Sequence, residues 1–123
     1  MTLIDTSAWI EFLRVGGNAN IEARVRQLLL TNQAAWCDIV QLELWNGAGS
    51  ERDRKLLREF EIDVVNLETN EAVWTLSRDL ARRARSKGVT VPAADILIAA
   101  CAFHHEVEIE TADNHFHLLA KIR

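Results

Sequence analysis

Four short apolar runs alternate along this chain with segments whose apolar residues recur at helical spacing. That alternation constrains the fold more than any other feature. Thr2-Leu3-Ile4, Ala34-Ala35-Trp36-Cys37, Ile62-Asp63-Val64-Val65 and Val107 to Glu110 have the length and polar boundaries of short strands. From Ser7, the residues Ala8, Trp9, Phe12 and Leu13 mark a helix that Gly16-Gly17 stops, and Ile21, Val25, Leu28 and Leu29 mark a second from Asn20 to Leu30. After Cys37, Asp38 and Gln41 have the offset of a capping box before a helix that carries Ile39, Val40, Leu42, Leu44 and Trp45 and ends at Gly47 and Gly49. Ser50 precedes a basic helix from Glu51 to Phe60, and Thr69 begins a long amphipathic helix through Arg85 with Gly88 beyond its end. Pro92 suits the first turn of a helix to about His104, and His115 to Ala120 reads as a last short one. Strands alternating with helices predict an α/β sandwich around a mostly parallel sheet, a single domain over residues 1–123.

Composition narrows the function. With 49% hydrophobic and 26% charged residues the chain is that of an ordinary globular protein. The longest apolar stretch is interrupted by Asp95, so no membrane span is expected, and the N-terminus lacks the basic and apolar regions of a signal peptide. Cys37 and Cys101 sit in apolar sequence without paired spacing, which fits buried free thiols in a reducing cytoplasm better than a disulfide or zinc site. A net charge of −4 argues against nucleic-acid binding by bulk charge. Basic residues nevertheless cluster at Arg52, Arg54, Lys55 and Arg58, and again at Arg78, Arg82, Arg83, Arg85 and Lys87. Arg78, Arg82 and Arg85 share one helix face, readable as a solvated face or as a phosphate-contacting one.

Four carboxylates stand where apolar sequence meets polar sequence. Asp5 follows Leu3-Ile4, Asp113 follows the fourth strand, Asp95 falls in the first turn after Pro92, and Glu43 interrupts the apolar stretch from Ile39 to Trp45. Ligands of open parallel sheets bind beyond the carboxyl ends of the strands, and all four residues can reach that edge. Singly, Asp5 reads as a turn or cap residue and Asp95 as a dipole-compensating one. Only Glu43, among apolar neighbours, demands a partner by itself. Gathered together, carboxylates repel and raise one another's pKa, and a Mg²⁺ or Mn²⁺ ion relieves that repulsion. Such an ion polarises a phosphoryl group and lowers the pKa of a bound water, so metal-assisted phosphodiester hydrolysis is the reaction class expected.

The segments Leu3-Ile4-Asp5-Thr6-Ser7-Ala8-Trp9, Ile39 to Gly47, Pro92 to Ala100 and Thr111 to Phe116 occur in an order and spacing that covers nearly the whole chain. In this it resembles the PIN-domain ribonucleases, specifically the VapC-type toxins of VapBC toxin–antitoxin pairs. The resemblance implies a three-layer α/β/α sandwich with four to five strands. It implies that Asp5, Glu43, Asp95 and Asp113 form a catalytic site for Mg²⁺ or Mn²⁺, with Thr6, Ser7 and Thr111 orienting carboxylates or backbone. It further implies an RNA substrate cut to leave a 5′ phosphate and a 3′ hydroxyl, a homodimer, and inhibition by a VapB-type antitoxin in a groove. The helix face carrying Trp9, Phe12 and Leu13 is a candidate for that groove or for the core. Two positions depart from the family pattern. His115 stands where many relatives carry a further acidic residue, and Asp38 where they often have Ser or Thr.

Other features are read more plainly. His104 and His105 suit a helix C-terminus, and His115 and His117 are expected to take surface roles facing RNA or a partner rather than to ligate metal. Trp36, Trp45 and Trp74 are expected in the core or a dimer interface. The rival functions are a catalytically weak PIN-like module that binds RNA, and a phosphotransfer domain. Ser7 occupies the position where a haloacid-dehalogenase-type phosphatase needs a second Asp, and no lone mid-sheet phosphoacceptor with a late Lys marks a receiver domain.

Overall fold

The computed structural model describes residues 1–123. Its centre is a four-stranded, wholly parallel sheet in the order β3-β2-β1-β4, built from β1 (Thr2–Ile4), β2 (Ala34–Cys37), β3 (Val65–Leu67) and β4 (Glu108–Glu110). Seven helices surround it: α1 (Thr6–Leu13), α2 (Ala19–Leu30), α3 (Asp38–Gly47), α4 (Glu51–Asp63), α5 (Glu71–Ser86), α6 (Ala93–His105) and α7 (His115–Ile122). Strand alternation sorts the two helical layers. The Trp36 ring lies 5.6 Å from Trp9 of α1 and 6.5 Å from Phe60 of α4, whereas the next residue, Cys37, turns to the other face and meets Cys101 of α6. The result is the three-layer α/β/α sandwich, with both middle strands buried and α5 packed along α6. No helix is long and apolar enough to cross a membrane.

Both cysteines are free and fully buried. Cys101 Sγ donates to Leu67 O at 3.7 Å, and its contact with Cys37, followed by burial, pushes its pKa well up. Four local expectations need correction. Ile62-Asp63 is the end of α4 rather than strand, because the spacing of Leu57 and Phe60 carries the helical period on and the Val64 N–H closes the helix on Phe60 O at 2.7 Å. Ile62 itself is exposed, and the strand starts at Val65. Val107 is likewise not strand. Glu106 takes the left-handed conformation at φ 56°, and the Val107 N–H closes α6 on Ala102 O at 3.0 Å. Asp38 and Gln41 form no capping box. Cys37, the extended last residue of β2, is the N-cap, and Asp38 and Gln41 instead hold the two ends of the Asn66 amide at 2.9 and 2.8 Å. At α5 the cap is Asn70, which accepts from the Val73 N–H, rather than Thr69.

Candidate functional site

The site follows from how β1 and β4 end. Ile4 pairs with Glu110, and the Asp5 N–H extends the ladder by donating to Glu110 O at 3.0 Å. Asp5 and Thr111 therefore leave the sheet side by side. Asp5 is the N-cap of α1, its Oδ1 accepting the Ala8 N–H at 2.8 Å. The cap role and proximity to the other acids hold at once. Only 2% exposed, Asp5 accepts from the Ser7 hydroxyl at 2.8 Å and from the Thr111 hydroxyl, on Oδ2, at 2.7 Å. Burial pushes its pKa up to about 6 against those three hydrogen bonds, and the charge of Asp113 adds to the rise.

Thr111 Oγ1 also accepts the Asp113 N–H at 3.1 Å, so one hydroxyl fixes both Asp5 and the backbone of Asp113. Asp113 Oδ1 in turn accepts the N–H of His115, the first residue of α7, at 2.9 Å. Asp95 arrives from the first turn of α6, after the N-cap Pro92. Its Oδ2 lies 2.5 Å from His115 Nδ1, and Asp113 Oδ2 lies 3.7 Å from the same nitrogen. Burial raises the pKa of Asp95, opposed by the His115 hydrogen bond and helped by the charge of Asp113. His115 is raised first by its hydrogen bond to Asp95, then by the surrounding carboxylates.

Asp95, Asp113 and His115 each offer a donor atom within 4.8 Å of the others. Asp5 joins them through Thr111. Glu43 does not enter that cluster. It projects from α3, and its Oε1 accepts from the hydroxyl of Thr6, the residue after Asp5, at 2.7 Å. Glu43 also lines a groove of about 250 Å³ with Ile10, Leu13, Arg14, Leu44 and Leu57. Trp9 is fully buried and belongs to the core, so only part of the α1 face proposed for the groove lines it. Asp5 and Asp95, whose pKa values are raised by burial and further by the charge of Asp113, stand with Asp113 and a nearby imidazole as a donor set suited to a divalent cation.

His115, expected to face RNA or a partner, keeps a partly exposed side chain but turns its ring toward Asp95 and Asp113. Its signal in the sequence was its place two residues after Asp113, at a helix start where the family pattern puts an acid. Of the basic clusters, Arg54 and Arg58 pair with Glu51, and Arg82 and Arg83 with Asp79, on their own helices. Arg85 and Lys87 make no ion pair.

A four-stranded parallel sheet with acids from the ends of β1 and β4 and the start of α6 is the architecture of the PIN domain, and that family matches residues 2–122. Ribonuclease VapC11 of Mycobacterium tuberculosis is 35% identical to this chain, over 99% of the chain and 93% of that protein. VapC ribonuclease Mb1587 of Mycobacterium bovis matches to the same extent. The structure of VapBC-1 from nontypeable Haemophilus influenzae superposes with a TM-score of 0.78 at 22% identity, over 98% of this chain and 92% of that one, a likeness of fold. The chain belongs to the PIN-domain family and, within it, to the VapC ribonucleases.

Proposed function

We propose that this protein hydrolyses RNA phosphodiester bonds with Mg²⁺ or Mn²⁺ held by Asp5, Asp95 and Asp113, with Glu43 at the margin of the site. One observation carries the reading: the Thr111 hydroxyl bridges Asp5 and Asp113, drawing acids from opposite ends of the chain to one sheet edge. When bound, a divalent ion would polarise the phosphoryl group and make a water molecule acidic enough to react near neutral pH. The protein's own part is positional. Ser7 and the Ala8 N–H hold the Asp5 carboxylate, Thr6 holds Glu43, and the start of α6 presents Asp95. Hydroxyls that fix carboxylate orientation in this way keep the donor set ordered before the substrate arrives.

The toxin role adds a VapB-type antitoxin as partner. The groove beside Glu43 supports it, since it is largely apolar, opens next to the acids, and carries Arg14 and Asp53 among its walls. A homodimer is supported by Trp74, 46% exposed beside Ile39, Ile96 and Leu97. The test is cleavage of a defined RNA by purified protein with Mg²⁺ or Mn²⁺. The parent should cut, and Asp95→Asn and Asp113→Asn should lose at least about 100-fold in rate while melting as the parent does. Variants that cut as fast as the parent would remove the site assignment.

A further inference from the structure

The family pattern leads one to expect an acid at position 115, and this chain presents an imidazole there. Three observations bear on what that imidazole does. Its Nδ1 lies 2.5 Å from Asp95 Oδ2 and 3.7 Å from Asp113 Oδ2, so the nitrogen faces between the two carboxylates. The His115 backbone N–H binds Asp113 Oδ1 at 2.9 Å, which orients that carboxylate so that Oδ2 is the oxygen turned toward the ring. The ring makes no hydrogen bond to any group outside this trio, and its side chain is 38% exposed, so nothing else fixes its direction.

Two oxygens and a nitrogen that converge within 4.8 Å have the span of ligands to one ion after small side-chain rotations. Adjacent donors of an octahedral ion at about 2.1 Å lie roughly 3 Å apart, and opposite ones roughly 4 Å. In this structure the imidazole lies against Asp95, as a donor between two carboxylates must. An arriving cation would take over that contact and find the nitrogen already aimed.

We propose that His115 is a direct nitrogen ligand of the divalent ion and makes the site favour Mn²⁺ over Mg²⁺. The inference rests on the acidic metal site proposed above. Its chemical basis is donor preference. Mg²⁺ binds hard oxygens, demands near-ideal geometry and gives up its waters reluctantly. Mn²⁺, the first member of the first-row series, shares the taste for carboxylate but takes a nitrogen donor more readily than Mg²⁺ does, though less readily than the later ions. Replacing an expected carboxylate by imidazole also removes one negative charge from the set, which weakens binding of Mg²⁺, an ion held mainly by charge. The rival role for the same side chain is a fixed cation that lies near the ion without touching it.

Pulsed electron paramagnetic resonance on protein loaded with substoichiometric Mn²⁺ separates these roles, because it registers nitrogen bonded to manganese. The parent should show ¹⁴N modulation that changes to the ¹⁵N pattern in protein labelled with [¹⁵N]histidine. His115→Asp should still bind Mn²⁺ but lose the modulation. In competition with Mg²⁺, its preference for Mn²⁺ should fall at least about tenfold relative to the parent. Bound Mn²⁺ without histidine nitrogen modulation in the parent, or an unchanged metal preference in His115→Asp, would overturn the proposal and leave the acidic site standing. Absence of Mn²⁺ binding in both proteins would remove the acidic site itself, and His115 as its ligand with it.

Discussion

The hydroxyl of Thr111 donates to Asp5 Oδ2 across 2.7 Å, although 106 residues separate the two along the chain. The contact exists because β1 and β4 are neighbours and end in register, so it reports on the sheet as much as on the site. Thr111→Val keeps the shape and removes the hydroxyl. The Asp5 carboxylate then loses one of its hydrogen bonds and the Asp113 N–H loses its acceptor. Denaturant unfolding should show a loss of about 1–2 kcal/mol. RNA cleavage should fall by about tenfold or more, because two of the acids proposed to hold the metal lose their orientation. Thr111→Ser should recover most of both.

The pKa of Asp5 predicts an unusual pH dependence for metal-free protein. Its folded value is about 6 against an ordinary 3.8, because burial disfavours the charged form. The folded state therefore binds the proton more tightly than the unfolded chain does. The resulting stability is fully present below the unfolded value and is lost as pH rises through the folded one. The displacement corresponds to roughly 3 kcal/mol. Thermal melts in EDTA should fall from pH 4 toward pH 7 more steeply in the parent than in Asp5→Asn, and added Mn²⁺ should restore the parent at pH 7. A parent and variant with parallel profiles would contradict the assigned burial effect.

The strand–helix alternation was legible because each strand carries its own apolar run and each helix its own caps and period. Boundaries failed where two elements share residues. Ile62 and Asp63 look like strand by composition, yet the helix gains by continuing through them, with Ile62 on its solvent side. Asp38 had the right offset for a capping box, but α3 begins at Asp38 itself, one residue earlier than a cap there requires, and Asn66 on the neighbouring strand takes its carboxylate. These are tertiary facts that no local pattern contains.

At the candidate site, the acids were conspicuous as charges against apolar sequence, whereas His115 was not. A histidine at the start of a helix is ordinary by itself. Its meaning depends on Asp95, brought from 20 residues away by the packing of α6 against α7. Glu43 shows the reverse. Its apolar surroundings suggested deep burial, but it lies on the half-exposed side of α3 above the groove, and Thr6 supplies its partner.

The antitoxin role proposed for the groove can be tested apart from the fold. Ile10 is 47% exposed, lines the groove with Leu13 and Leu44, and contributes nothing to the buried core. Ile10→Glu places a charge where an apolar antitoxin side chain would sit. Affinity for the product of an adjacent antitoxin gene, measured by calorimetry, should fall by about tenfold or more. The melting temperature should stay within about 2 °C of the parent's, as for a surface substitution. Unchanged affinity would move the antitoxin to another face.

Glu43 offers the sharpest test of how the acids divide their work. Its carboxylate is held by Thr6 and stands outside the cluster that Asp95, Asp113 and His115 form. A residue that touches the ion only through water should matter less to metal affinity than one that binds it directly. Mn²⁺ titration should therefore show Glu43→Gln weaker than the parent by less than about tenfold, and Asp95→Asn weaker by more than about a hundredfold. Thr6→Val should resemble Glu43→Gln, because it frees the carboxylate without removing it. If Glu43→Gln abolished Mn²⁺ binding as completely as Asp95→Asn, Glu43 would have to swing from Thr6 to the ion, and the division of work argued here would be wrong.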